Sequence, residues 1–240
     1  MRQVPVLQEF PPIGVVGDGR VARHFCRYLH LLGRPFLTWS RRASGAAPTD
    51  ALASCGTVLL LIRDDAIEPF VGTWPALRRH QLVHCSGALV TNLADGAHPL
   101  MTFGPELYDL ETYRAIAFVL DSGATPFQQL LPGLPNPSFT IPAADRPYYH
   151  ALCVMAGSFS SLLWLKLFDE LQDRFGIPAS AAHPYARGIM NNLVADGRRS
   201  LTGPFSRGDD RTIAANLASL EGDPFHAVYH AFARTYARRH

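Results

Sequence analysis

Two short segments carry residue types whose spacing points to one kind of chemistry. The first is Gly14-Val15-Val16-Gly17-Asp18-Gly19-Arg20-Val21-Ala22. It contains the spacing GxGxxA at the junction of an apolar run and a helical pattern. Gly17 permits a tight turn, Gly19 lets an anionic group reach the backbone, and Ala22 lets the helix pack close to its strand. With Asp18, Arg20 and Val21 these residues form the expected seat of a dinucleotide pyrophosphate, held by the N–H groups and dipole of a helix start. The second segment is Ser40-Arg41-Arg42, about twenty residues further on, where such proteins read the adenosine ribose. A carboxylate there would bond a 2′-hydroxyl and repel a 2′-phosphate. A serine hydroxyl and two guanidinium groups would bind the phosphate by charge-assisted bonds, so the expected cofactor is NADP. The competing reading of the two arginines is an ordinary solvated basic turn.

Further candidates lie where strand ends are expected. Arg63 follows the run Thr57 to Ile62 and could lie along the cofactor, with Asp64 or Asp65 capping the next helix. Ser86 and Gly87 close the strand ending at Cys85 and are expected near the nicotinamide, Ser86 offering its hydroxyl to the carboxamide or the substrate. His84 points away from Cys85 and reads as a satisfied core histidine. His98, in an expected loop before Pro99, is the best proton donor in the chain. Its alternative is a brace that bonds loop backbone. Further on, Asn191 and Asn192 interrupt an apolar helical pattern, and a buried amide there must bond substrate or a neighbouring helix. Asn192 is the candidate for substrate. Arg207 could hold a carboxylate two-pronged or meet the cofactor phosphate. Asp209 reads as a helix cap. Lys166, the only lysine, shares its side of a helix with Asp169, Glu170 and Asp173 and reads as a solvated face.

The elements that must position these residues alternate strand and helix. Strands are expected at Pro12 to Val16, Phe36 to Trp39, Thr57 to Ile62, Gln81 to Cys85, Ala115 to Leu120 and Ser138 to Ile141, with a helix from Arg20 to Leu32. This is an α/β pattern, a doubly wound sheet. Beyond the prolines between Pro132 and Pro147 there is no strand candidate. Helices are expected at Tyr148 to Phe175, Ala182 to Ser200, Asp209 to Leu220 and Pro224 to Arg238. The organisation is therefore a nucleotide-binding domain over residues 1–145 and a smaller all-helical domain over 146–240.

Composition narrows the function classes. The 240 residues are 48% hydrophobic with a net charge of +2, a globular composition without a dense basic stripe, so nucleic acid is not an expected partner. The longest apolar run, around Ser161 to Phe168, is broken by Lys166, so no membrane span is expected. The start, Met1 to Pro5, lacks the apolar stretch of a signal peptide. Cys26, Cys55, Cys85 and Cys153 match no disulfide or zinc framework, and the histidines show no HxxxH, so reduced thiols, a cytoplasmic location and no metal are expected. The absence of a GxSxG elbow argues against a serine hydrolase.

The chain as a whole resembles a largely uncharacterised Rossmann-like family of NADP oxidoreductases with a helical C-terminal domain of unknown function. That family is similar to pyrroline-5-carboxylate reductase, ketopantoate reductase and the 6-phosphogluconate dehydrogenase superfamily. The resemblance runs from Ile13 to about Leu220. It rests on the glycine turn, Arg63-Asp64-Asp65-Ala66-Ile67 and His84-Cys85-Ser86-Gly87, and most specifically on His98-Pro99-Leu100-Met101-Thr102-Phe103 and Leu201-Thr202-Gly203-Pro204-Phe205-Ser206-Arg207-Gly208-Asp209. It implies a Rossmann-type fold, a homodimer packed through the helical domain and an active site between domains. In Ala156-Gly157-Ser158-Phe159 the family more often carries Ser-Asn. Ser158 stands at the amide position and could bond a substrate, but it is shorter and offers one donor.

Two functions follow. One is an NADP-dependent oxidoreductase that transfers a hydride to or from a small carbonyl, imine or hydroxy compound. The other is a non-enzymatic NADP-binding redox sensor or partner-binding module derived from a dehydrogenase.

Overall fold

The computed structural model describes residues 10–43 and 45–237. Met1 to Pro5, where a leader would begin, lie outside the described residues. The chain divides into two compact units, Met1–Ser160 and Ser161–His240. The division falls inside the long helical run that the sequence places after residue 145.

The first unit is built on a seven-stranded sheet of order β2-β1-β3-β4-β5-β6-β7. Its strands are β1 (Ile13–Val16), β2 (Phe36–Trp39), β3 (Thr57–Leu60), β4 (Gln81–His84), β5 (Asp95–Pro99), β6 (Phe118–Asp121) and β7 (Ser138–Ile141). Neighbours are parallel except β5 and β6. The crossovers carry α1 (Arg20–Leu31), α2 (Pro48–Ala51), α3 (Asp64–Thr73), α4 (Leu110–Ala115) and α5 (Phe127–Leu130), and α6 (Arg146–Val154) follows β7. The doubly wound α/β sheet is as expected, with one addition. The segment of β5, expected to be loop, is a strand, and it carries His98.

The sheet has a core on each face. Alternate residues Ile13, Val15, Leu59 and Val83 pack with Phe25, Tyr28 and Leu29 of α1. Val16, Val58, Leu60 and Leu82 pack with Ile67 and Val71 of α3. This is why β1 and β3 read as unbroken apolar runs: both of their faces are covered. The registers align one row across the sheet: Trp39, Val16, Leu60, His84 and Gly96 are successive partners. The residues that follow this row form the edge where ligands of such sheets bind.

α6 runs through one wide turn, Met155–Phe159, into α7 (Ser160–Asp173). The remaining helices are α8 (His183–Asp196), α9 (Pro204–Arg207), α10 (Asp210–Ser219) and α11 (Phe225–Ala237). The helical run Ala143–Asp173 contains an 18-residue window of mean hydropathy 1.6, long and apolar enough by composition to cross a membrane. This corrects the sequence expectation, which stopped the apolar run at Lys166. Leu152, Met155, Phe159, Leu162 and Leu165 of this run are exposed on the single chain. Lys166 shares its side of α7 with Glu170 as expected, but it is less solvated than a surface face, being only 26% exposed. Its Nζ bridges Glu170 at 2.7 Å and Asp223 at 2.6 Å, tying α7 to the turn before α11. Asp209 caps α10 as expected, accepting from Thr212 N at 3.0 Å.

Candidate active site

The glycine turn joins β1 to α1. Gly17 has φ +124°, and a Cβ there would collide with the Leu61 carbonyl oxygen, so only glycine fits. Gly19 is the N-cap of α1; a Cβ on it would meet no atom within 4 Å, and the space above its backbone is open. No side chain caps α1, and its first turn has no acid. The helix start therefore presents unpaired N–H donors and the positive end of its dipole to that space. Ala22 is buried and keeps α1 close to the sheet.

A groove of about 690 Å³ leads away from this turn. Its floor is Gly17 to Gly19, one wall is Ser40, Arg41 and Arg42, and the other runs from Arg63 along α3 to Trp74. Trp39 and Phe70, ring centroids 5.5 Å apart, supply apolar surface for a flat base. Arg41 and Arg42 are exposed, and no carboxylate stands at the end of β2. Arg63 is paired with Asp65 at 2.9 Å. Asp65 thus serves Arg63 and not the expected helix cap, and the N-cap of α3 is Arg63, without a side-chain cap bond. The donor set fits NADP: backbone donors for the pyrophosphate, guanidinium groups for the 2′-phosphate, aromatic faces for the base.

The other half of the strand edge is organised around Arg146, which carries no motif that singles it out in the sequence. It is the first residue of α6, and its side chain is 0% exposed. Nε donates to Asp121 Oδ1 at 2.6 Å, Nη1 to Ser86 O at 3.1 Å, and Nη2 to Gly96 O at 3.2 Å and Val119 O at 3.3 Å. One guanidinium thus holds together the ends of β4, β5 and β6. Gly96 admits it: a Cβ there would lie 2.6 Å from Nη2.

His84 and His98 share this face. His84 is 1% exposed, and its Nδ1 has no hydrogen-bond partner among the described residues. Burial and the Arg146 charge hold its pKa down to about 4. The expectation of a satisfied core histidine is half right: it is in the core and not satisfied. His98 is half-buried on β5, and its pKa is also held down to about 4, by burial and then by His150 and Arg146. Its Nδ1 is hydrogen-bonded to the Tyr149 hydroxyl at 2.8 Å. The ring is thus engaged by a side chain of α6 in place of the expected loop backbone, and at neutral pH it is an uncharged imidazole.

Ser86 sits at the expected strand end, but its hydroxyl is committed. It donates to Asp64 Oδ2 at 2.5 Å and accepts from Ala88 N and Leu89 N at 3.2 and 2.9 Å. These bonds make it a brace between β4 and α3, and the hydroxyl expected for the carboxamide or the substrate is engaged by the protein itself. Gly87 is likewise covered: a Cβ there would fall within the His150 ring. The structure therefore brings His98, Ser86 and Gly87 together with Tyr149, His150 and Arg146.

Ser158, Asn192 and Arg207, expected at the substrate, are exposed on the wide turn, on α8 and on α9. Ser158 lies near the end of the first unit; Asn192 and Arg207 belong to the second. Asn192 is not the buried amide assumed. Among the described residues no group of three metal-ligating side chains occurs.

Residues 121–236, slightly under half of the chain, match the family described as a domain of unknown function, DUF2520. No curated protein matches the chain. A candidate NADP oxidoreductase from Bacteroides fragilis superposes with TM-score 0.72 at 18% identity, covering 95% of this chain and 98% of that one. The protein TM1727 of Thermotoga maritima gives 0.69 at 22%, covering 94% and 97%. A reductive aminase from Aspergillus terreus, solved with NADPH and ethyl levulinate, gives 0.59 at 13%, covering 95% and 93%. At these identities the likeness is one of fold, and over nearly its whole length this chain has the Rossmann-like sheet and helical region of those proteins.

Proposed function

We propose that this protein is an NADP-dependent oxidoreductase that transfers a hydride to or from a small carbonyl, imine or hydroxy compound. The observation that carries the reading is the open, uncapped start of α1 at the head of a groove walled by Ser40, Arg41 and Arg42. A 2′-phosphate would meet two guanidinium groups there and no carboxylate. The fold likeness to proteins described as NADP-linked supports it. Bound NADP would supply the hydride. The chain's own residues would do the rest: Gly17 to Ala22 seat the phosphates, Arg63 flanks the groove, and the His98–Tyr149 pair handles the proton at the reacting oxygen or nitrogen. Ser86 holds the strand end in place. Ser158, Asn192 and Arg207 are assigned to the substrate.

The exposed apolar surface of α6 and α7 is assigned to a second copy of the chain, since a twofold contact is the commonest way to cover such a surface. Four free thiols accord with a cytoplasmic location. Light scattering that gives a 26 kDa monomer at micromolar concentration would exclude the dimer assignment, and flotation of that monomer with lipid vesicles would give the apolar surface to a membrane instead.

The test of the main reading is fluorescence titration with NADPH and NADH, followed by NADPH loss across a panel of ketones, oxo-acids and ketone–amine mixtures. NADPH should bind at least about tenfold tighter. Equal affinities defeat the cofactor choice. Tight NADPH binding with no turnover on any member would favour the sensor reading.

A further inference from the structure

We infer that Tyr149 is the proton donor of this site, its hydroxyl oriented by His98. The inference rests on the oxidoreductase reading and adds to it a tyrosine as the acid. The Tyr149 oxygen lies 2.8 Å from His98 Nδ1, with the rings edge to face at 5.6 Å. Its other contact is Cys153, one turn along α6. With Nδ1–H of His98 donating to the oxygen, the phenolic proton points to the thiol, a weak acceptor that a substrate oxygen readily replaces.

The neighbouring protons are less available. That of Ser86 is held by Asp64. The Arg146 donors are spent on Asp121 and three carbonyls. His98 is a poor source of a second proton at neutral pH, because burial and then His150 and Arg146 hold its pKa down to about 4. Tyr149 stays protonated, because burial and then Cys153 push its hydroxyl up. The groups facing the pair are Asp64 from α3, Arg146, His150 and Cys153 from α6, and His84 and Asp121 beyond Arg146.

For a carbonyl substrate the step balances simply. The carbon takes the hydride, NADPH becoming NADP⁺, and the carbonyl π pair moves to oxygen. That oxygen, a far stronger base than a phenolate, takes the Tyr149 proton. The phenolate is held by the His98 N–H and is reprotonated from water.

Histidine ¹⁵N spectra test this without a known substrate. The His98 signal is assigned with His98→Asn, and 2′-AMP and NADP⁺ are titrated in turn. NADP⁺ should shift the His98 signal and 2′-AMP, which lacks the nicotinamide half, should not; Tyr149→Phe should shift it in the free protein. With the first active carbonyl of the panel, Tyr149→Phe should lose about a hundredfold to ten-thousandfold in turnover with NADPH affinity unchanged. His98→Asn, which keeps a donor, should lose less. NADP⁺ that binds yet leaves the His98 signal unmoved overturns this inference alone, as does a Tyr149→Phe enzyme at full rate. Failure of NADP⁺ to bind overturns the reading beneath it.

Discussion

The two halves of the sheet's ligand-binding edge are built on opposite principles. Around β1 to β3 the chain withholds side chains and partners: Gly17 and Gly19 bare the backbone, α1 starts without a cap, and Arg41 and Arg42 stand exposed. Around β4 to β6 nearly everything is enclosed. A buried guanidinium makes four hydrogen bonds, the Ser86 hydroxyl makes three, and two histidines are held neutral. The open half is suited to receive large, fixed phosphate charges, which bring their own bonding. The enclosed half is suited to fix the position of a few protons. The proposed hydride transfer would need both, and the two lie along one row of strand ends.

The sharpest way to break this contrast is Arg146→Met. Removing the guanidinium strands the Asp121 carboxylate and three carbonyl oxygens, and should cost about 3–5 kcal/mol in urea unfolding. A loss below about 1 kcal/mol would mean that water substitutes for it and that the enclosed half is wetter than described. Gly17→Ala strikes the open half. A Cβ at φ +124°, against the Leu61 carbonyl, should cost about 2–4 kcal/mol and abolish NADPH binding in the protein that still folds. Unimpaired binding would show that the turn is not the phosphate seat.

Acid should act on the enclosed half. The folded pKa of His84 lies near 4, below its unfolded value of about 6.5, so between those limits the unfolded state holds more protons. Stability is unaffected above about pH 6.5 and falls as pH drops through the window, by about 1.4 kcal/mol per unit for one histidine. Unfolding free energies from urea titrations at pH 7 and pH 5 should therefore differ by about 2 kcal/mol, with His98 adding in the same direction. A flat profile would show that His84 is charged in the fold. The smallest effect is expected where charge meets water. Arg41→Ala with Arg42→Ala should weaken NADPH by about tenfold, near 1.4 kcal/mol, and leave NADH affinity and the melting temperature unchanged. An equal loss for both cofactors would move the 2′-phosphate elsewhere.

The open half is legible in the sequence because its signals are local. An apolar run, GxGxxA and a helical period follow one another within twenty residues. The enclosed half is legible only in part. Asp95-Gly96-Ala97-His98-Pro99 lacks the apolar, β-branched character of a strand. It is made one by its neighbours, through two partners on β4 and three on β6. Gly96 is required by the space that Arg146 takes, which nothing in its own neighbourhood of sequence signals. Arg146 itself lies among prolines, with partners 25 to 60 residues away. One local clue exists: a cation in the first turn of a helix opposes the dipole and calls for compensation from outside the helix. Ser86 and His98 stand out by type and place, but which hydrogen each could give away depends on partners that spacing does not encode.

The reach of Arg146 also bears on how the chain is made. Residues 86 to 121 leave the ribosome well before residue 146, and until it follows, Asp121 and the ends of β4, β5 and β6 lack their common cation. The half of the sheet that begins with the glycine turn has its core partners once residues 113–136 have emerged, whereas the enclosed half must wait for the first residue of the helix after β7. A nascent chain halted between β7 and α6 would hold a complete glycine turn beside strand ends without their cation, and vectorial synthesis would complete the two halves in that order.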